Sequence, residues 1–253
     1  MRRLGQGNSV SNPLVRKLEN FVRLSPEEKQ ALEKIAQPAR RLGAREDVIR
    51  DGERPRHVHV VLEGWACRYK QLEDGRRQVI SIFLPGDLCD PHVFVLRKMD
   101  HSLGTLTPVV LAEISESAIR EIAVQFPRVA EALWWEVLVT AAIQREWTVS
   151  LGQRLATERL GHLFCELFLR LRAVGMTTEA SCEFPITQAD LGDAMGLSTV
   201  HINRTLKELR SAGLIRLRGR QLTIPDFSAL QAASLFDSSY LHHERDPSVL
   251  DDD

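Results

Sequence analysis

Thr199, Val200, His201, Asn203, Arg204 and Lys207 are spaced to share the outer side of a helix whose other side carries Ile202, Leu206 and Leu209. Burial of the apolar stripe leaves that polar set to face a partner. A guanidinium one turn into such a helix bonds O6 and N7 of a guanine together, and Val200 suits a thymine methyl. Thr199, His201 and Asn203 are candidates for base edges or phosphates. Just upstream, Thr187 and Asp190 have the spacing of a capping box, and Leu191, Ala194 and Met195 form one apolar face. Gly196 permits a sharp turn, Leu197 can plug the angle, and Ser198 can cap the next helix. Ile186 to Arg210 therefore reads as a helix-turn-helix whose second helix, about 198–209, enters the major groove of double-stranded DNA.

Leu214 to Ile224 reads as a β-hairpin with Gly219 in its turn and Arg216, Arg218 and Arg220 beside it, which makes the motif a winged one. Between Thr187 and Ile224 six basic residues face three acidic ones, in a chain whose formal charge is −1. Basic charge gathers where phosphates need neutralising. Thr187, Gln188, Ser198, Lys207, Arg218 and Arg220 are the candidate phosphate contacts.

The rest of the chain must position this head. With 253 residues, 43% of them apolar, there is material for two cores. No run approaches the roughly 18 apolar residues of a membrane span, and the first residues lack the apolar core of a signal peptide, so a cytoplasmic protein is expected. Cys67, Cys89, Cys165 and Cys182 are scattered without a C-x-x-C pair, which suggests reduced structural thiols. Cys182 lies just before the motif, where oxidation would disturb DNA binding; the plainer reading is a linker cysteine.

Pro13 to Ile35 has helical patterning, broken where Ser25 and Pro26 announce a new helix. From Ala39 to Ser115 short β-prone runs (His57 to Leu62, Trp65 to Tyr69, Gln78 to Phe83) are separated by glycines about every ten residues, the pattern of an all-β sandwich or barrel. Glu73-Asp74-Gly75 and Leu84-Pro85-Gly86-Asp87 are its turn candidates. Ile119 to about Gln153 reads as helix, its long second part starting at Pro127. There Leu133, Trp134, Val137, Leu138 and Ala141, followed by Gln144 or Arg145, recur at three- and four-residue spacing, as at a dimer seam. A further helix spans about Thr157 to Ala173, and Gly175 to Glu183 reads as loop or hairpin. The polar end, 237–253, is expected to be a disordered tail.

Taken in order, these pieces resemble the cyclic-AMP receptor protein and FNR (Crp/Fnr) superfamily of bacterial transcription regulators. The resemblance is carried by Ile186-Thr-Gln-Ala-Asp-Leu-Gly-Asp-Ala-Met-Gly-Leu-Ser with Asn203-Arg204-Thr205-Leu206, and by Val61-Leu62-Glu63-Gly64 with Leu84-Pro85-Gly86-Asp87. It implies an α+β protein: a cyclic-nucleotide-binding-like β-roll (jelly roll) with helical preface at 13–117, a long dimerisation helix at 118–154 and a winged helix-turn-helix at 155–230. It further implies a homodimer on a palindromic site with half-sites roughly 34 Å apart, RNA polymerase as a partner, and Arg204 in the place of the guanine-reading arginine. The family's glutamate near the start of the recognition helix is replaced by Val200, so the familiar half-site does not carry over.

The sensor half departs from the cyclic-nucleotide pattern. Met99-Asp100 stands where that pattern has Arg-Ser, and a carboxylate beside a phosphate is repulsive; Arg97 and Lys98 would serve an anion only in a register shifted by two. The FNR-type iron-sulfur sensor is disfavoured, since no cysteine precedes Cys67. No cofactor is assigned and the effector is unknown. His57, His59, His92 and His101 raise the thought of haem or metal. A rival non-regulatory reading takes His57-x-His59-x-x-x-Glu63 with His92 as the metal set of a cupin enzyme, and a third makes the C-terminal module a protein-interaction wing. A metalloenzyme would not explain the long striped helix and the basic winged motif, and the arginine placement argues against the interaction wing.

Overall fold

The computed structural model describes residues 12–37 and 39–243. Two short helices, α1 (Pro13–Leu18) and α2 (Pro26–Ile35), open the described chain. Ser25 caps α2 and Glu28 returns the bond to the Ser25 N–H at 2.7 Å, so the start announced by Ser25-Pro26 is a complete capping box. Eight strands follow: β1 (Ala39–Leu42), β2 (Asp47–Ile49), β3 (His57–Glu63), β4 (Ala66–Gln71), β5 (Arg77–Phe83), β6 (Leu88–Cys89), β7 (Ser102–Thr105) and β8 (Val109–Ser115). They pair antiparallel in two four-stranded sheets, β1-β8-β3-β6 and β2-β7-β4-β5, which face each other across Val61, Phe83, Leu103 and Leu111. This is the roll expected from the glycine-punctuated segment. On the outer face of the first sheet, Val58, Val60, Ala112 and Ile114 pack with Leu14, Leu18 and Leu32 of the preface. That alternation is the two-residue period of a sheet covered on both sides.

Helix α3 (Glu116–Gln125), capped by Ser115, is followed by the 27-residue α4 (Pro127–Gln153), about 40 Å long at 1.5 Å per residue. Pro127 starts α4, as the sequence indicates. Then come α5 (Ala156–Ala173), β9 (Ser181–Glu183), α6 (Gln188–Met195), α7 (Thr199–Ser211), β10 (Arg216–Arg218), β11 (Gln221–Thr223) and α8 (Phe227–Ala233). Leu160, Phe164 and Leu167 of α5, Leu191 of α6, and Ile202 and Leu206 of α7 share one core with Trp147 of α4.

Two expectations need correction. Leu133 does not face outward with the other residues of the expected seam; it is buried with Val129 and Ala132 against α3 and the preface. The exposed stripe of α4 runs instead through Trp134 and Leu138, 61% and 64% exposed, flanked by the half-buried Val137 and Ala141. Nor does the chain become irregular at 237. Ser238–Leu241 forms a 3-10 turn, Leu241 is fully buried, and the Tyr240 hydroxyl donates to the Glu166 carboxylate at 3.1 Å. Two aromatic residues and a leucine, Phe236, Tyr240 and Leu241, dock this short segment on α5. The remainder of the expected tail, 244–253, lies outside the described residues.

Candidate nucleic-acid interface

The reading head is built locally. Thr187 caps α6 through its hydroxyl, which accepts from the Asp190 N–H at 3.2 Å, while Asp190 accepts the Thr187 N–H at 3.1 Å. Gly196 turns the chain with φ +64°, and Gly192 lets the next segment cross closely: a Cβ there would lie 2.6 Å from the Leu197 carbonyl oxygen. Ser198 accepts the His201 N–H at 3.2 Å and so starts α7. Ile202, Leu206 and Leu209 are buried, and Thr199, Val200, Asn203, Arg204 and Lys207 are exposed, with His201 half-buried.

Within that face the side chains are already arranged. Arg204 Nη2 donates to Nε2 of His201 at 2.9 Å and its Nε lies 3.8 Å from Glu208, so the guanidinium is held along the helix surface. Asn203 donates to Gln188 Oε1 at 3.3 Å, which ties the two helices of the motif together across their exposed side. Thr187 and Ser198 spend their hydroxyls on caps, whereas Gln188 and Lys207 remain open to solvent.

The wing has a strand, β9, within the segment whose sequence indicates a loop or hairpin. β9 pairs with β11, and β11 with β10, giving a three-stranded sheet with Gly219 at φ +58° in its tip. Arg216 and Arg218 project from β10 into solvent, and Arg220 is drawn to Glu183 at 3.3 Å. Cys182 of β9 pairs with Leu222 inside this sheet; its burial pushes the thiol up to about 12, which removes thiolate reactivity at neutral pH.

A buried charge cluster joins the head to the roll, and nothing local in the sequence signals it. Arg170 of α5 donates to Asp87 at 2.6 Å, to the Ile82 carbonyl at 2.9 Å and to Glu166 at 3.0 Å. Lys17 of α1 bonds Asp87 at 2.5 Å and also Glu136 of α4. Burial disfavours the Lys17 ammonium, but the Asp87 and Glu136 carboxylates outweigh it and hold its pKa above the ordinary value. Asp87 is likewise opposed by burial and held below the ordinary range by Lys17 and Arg170. Helix α6 itself rests on β5, where Gln78 donates to the Ala194 carbonyl at 3.1 Å and Arg77 lies 3.7 Å from Asp193.

In the roll, the segment between β6 and β7 is closed by its own charges. Arg68 of β4 pairs with Asp90; Asp90 faces His101 Nε2 at 2.9 Å; His101 Nδ1 faces Asp100 at 2.6 Å. Met99 is buried among apolar residues, and Arg97 and Lys98 are exposed. The four histidines do not converge. His57 and His59 lie at the mouth of the roll, His92 stacks on Trp134 with ring centroids 4.7 Å apart, and His101 is in the network just described. Among the described residues no group of three or more His, Cys, Asp and Glu side chains is placed to hold a metal.

Comparison with known proteins bears on both halves. Residues 39–126 match the family model described as cyclic nucleotide-binding domain, and residues 158–233 match that of the Crp-like helix-turn-helix domain. The chain belongs to the Crp/Fnr superfamily. It is similar to the transcriptional activator protein FnrL of Cereibacter sphaeroides, 27% identical over 82% of this chain and 84% of the relative. It also resembles the nitrogen fixation regulation protein FixK of Azorhizobium caulinodans, 28% identical over 73% and 74% of the two chains. The solved structure of FixK2 from Bradyrhizobium japonicum shares the fold with a TM-score of 0.69 at 22% identity, covering 78% of this chain and 96% of that one.

For a Crp/Fnr chain the dispersed histidines are ordinary parts of the roll and its neighbours, and the cupin reading falls away. Asp90, at φ +56°, is the residue that sequence reasoning missed in this Crp/Fnr roll. Its only signal is an aspartate just after β6, and its partner Arg68 lies on a different strand.

Proposed function

We propose that this Crp/Fnr protein is a homodimeric transcription regulator that binds a two-fold symmetric DNA site, with α7 of each protomer in the major groove. The carrying observation is the exposed face of α7, where Arg204 stands free of any buried ion pair beside Thr199, Val200, His201 and Asn203. Arg204 reads guanine, and the other four contact base edges or the adjoining backbone. Gln188, Lys207, Arg218 and, after release from Glu183, Arg220 neutralise phosphates. Thr187 and Ser198 act mainly through the N–H groups and helix starts that their caps fix.

Trp134, Val137, Leu138 and Ala141 form the dimer seam along α4, without Leu133. An exposed tryptophan and leucine one turn apart on a long helix are a poor surface for a monomer and a good one for knobs-into-holes packing. The domain division follows the chain: preface and roll to about 117, seam helix to about 154, then the winged helix-turn-helix.

Cyclic AMP is not the effector in the family's usual way. The position expected to supply a phosphate-binding arginine is the buried Met99, and the guanidinium of Arg68 is already neutralised by Asp90. The likeness to relatives named as activators supports RNA polymerase as a partner and a cytoplasmic location, where promoter DNA is met. No catalytic role is proposed.

Two substitutions separate the roles. Arg204→Ala should lower affinity for the specific site by about 1–3 kcal/mol and relax preference at one base pair per half-site. Arg218→Ala should weaken all sequences alike and reduce the salt slope by about one per protomer. Anisotropy titrations at several salt concentrations measure both; equal, sequence-independent losses from the two changes would remove Arg204 from base reading.

A further inference from the structure

The mouth of the roll holds a second feature, separate from the closed β6–β7 segment. Val58 and Val60 of β3 turn outward to the helices, so His57 and His59 face the opposite way, into a cavity of about 470 Å³. Its apolar wall is Val48 and Ile49 of β2. Its rim carries Arg54 and Arg56 from the β2–β3 turn, both exposed and neither paired with a carboxylate among the described residues, together with Glu53, whose carboxylate accepts the Arg50 N–H at 3.2 Å. Arg40 of β1 is also present, but its guanidinium is engaged by Glu113 at 3.2 Å.

His59 is the informative residue. Its side chain is 9% exposed, yet the Glu113 carboxylate stands 3.9 Å from Nε2, too far for a hydrogen bond, and the imidazole has no other hydrogen-bond partner among the described residues. Burial pushes its pKa down to about 4, so the ring is neutral and carries one donor and one acceptor. Neither ring nitrogen of His59 is among the fully buried, unpartnered polar atoms of the described residues, so the ring reaches the cavity it lines and is free to bond a molecule there. A site with an unengaged imidazole at its base, an aliphatic wall and two free guanidinium forks at its rim suits one class of molecule.

We propose that the roll mouth binds a small organic carboxylate with an apolar body, its carboxylate held by Arg54 and Arg56, its body against Val48 and Ile49, and a polar substituent or bound water meeting His59. The guanidinium forks match a carboxylate bidentately. As an effector site this rests on the regulator reading above. Glu113 and His57 flank Ser115, which caps α3, so occupancy would be felt at the start of the helices that lead to the dimer seam.

The test uses the full-length protein, with benzoate as the probe and the ring resonances of His59 followed by ¹H–¹⁵N correlation. Benzoate should shift His59 saturably while leaving His101, in the closed segment, unmoved. The double variant Arg54→Gln/Arg56→Gln should weaken that binding at least about tenfold, and inorganic phosphate, which lacks an apolar body, should bind more weakly than benzoate. His59→Gln should remain folded and also weaken binding, read for this variant by isothermal titration calorimetry with benzoate. An unmoved His59, equal binding in the double variant, or phosphate binding as tightly as benzoate would each overturn the proposal. DNA affinity without benzoate should match wild type in the double variant. Loss of all DNA binding by the wild type, with benzoate still shifting His59, would sink the regulator reading and leave the pocket standing.

Discussion

Replacing Arg170 by leucine probes the contact between the two halves of the molecule. The side chain is only 10% exposed and makes three hydrogen bonds: to Asp87 and the Ile82 carbonyl of the roll, and to Glu166 one turn back in α5. Removing one member of a buried ion pair costs about 3–5 kcal/mol, because the remaining charge loses its partner. Here the lower end applies. Asp87 keeps Lys17 at 2.5 Å and the Leu84 N–H at 2.7 Å; Glu166 keeps Trp147 Nε1 at 2.9 Å and Tyr240, and its pKa is already raised by burial, so it can take up a proton. The expected loss is therefore about 3 kcal/mol, read as a lowered urea midpoint at fixed protein concentration, since the stability of the proposed dimer depends on it. Arg170→Lys should lose less, because it keeps the charge. Arg170→Leu placed in an Asp87→Asn background should cost less than in wild type, because the orphaned carboxylate is already gone. A loss below about 1 kcal/mol, or the same loss in both backgrounds, would refute the view that this cluster joins head and roll.

Further outcomes follow from the same geometry. Trp134→Asp or Leu138→Asp should convert the dimer to monomer in sedimentation equilibrium and weaken DNA binding, while Leu133→Ala should destabilise each protomer by about 2–5 kcal/mol as an ordinary core truncation. A change at Leu133 that dissociates a still-folded dimer would contradict the seam drawn here. Stability should fall with acid. His59 and His162 are pushed by burial to about 4 and about 3. Both are neutral when folded and take up protons near 6.5 when unfolded. Their contribution is complete above about pH 6.5 and is lost as pH falls toward 4, at up to roughly 1.4 kcal/mol per pH unit for each. His59→Gln should flatten that slope in urea titrations between pH 7 and 4.5; an unchanged slope would show that the imidazole is not held neutral.

The reading head was legible because its instructions are local. The Thr187–Asp190 box, Gly196, Ser198 and the Ile202-Leu206-Leu209 stripe lie within some twenty residues, and each position acts on its near neighbours in the chain. Gly75 and Gly86 marked turns of the roll for the same reason, both adopting positive φ. The Arg170–Asp87 pair spans 83 positions and the Arg68–Asp90 pair spans 22 across different strands, so no period or spacing announces either. β9 has three residues and forms only because β11 is present to pair with it. Leu133 was misplaced because a helix stripe shows which residues seek burial but not whether their cover comes from the same chain or a second copy. The start of the expected tail is ordered because two docking residues, Tyr240 and Leu241, sit in a polar stretch whose average composition hides them.

The central claim is that α7 reads a two-fold symmetric DNA sequence. Selection of bound sequences from a random duplex pool by the purified protein, repeated with Arg204→Ala, tests it most directly. The account predicts enrichment of a palindrome with half-sites about one helical turn apart, a guanine in each half-site, and loss of that guanine preference in the variant. Enrichment of a single unrepeated site, or the same palindrome with the guanine retained by Arg204→Ala, would contradict it.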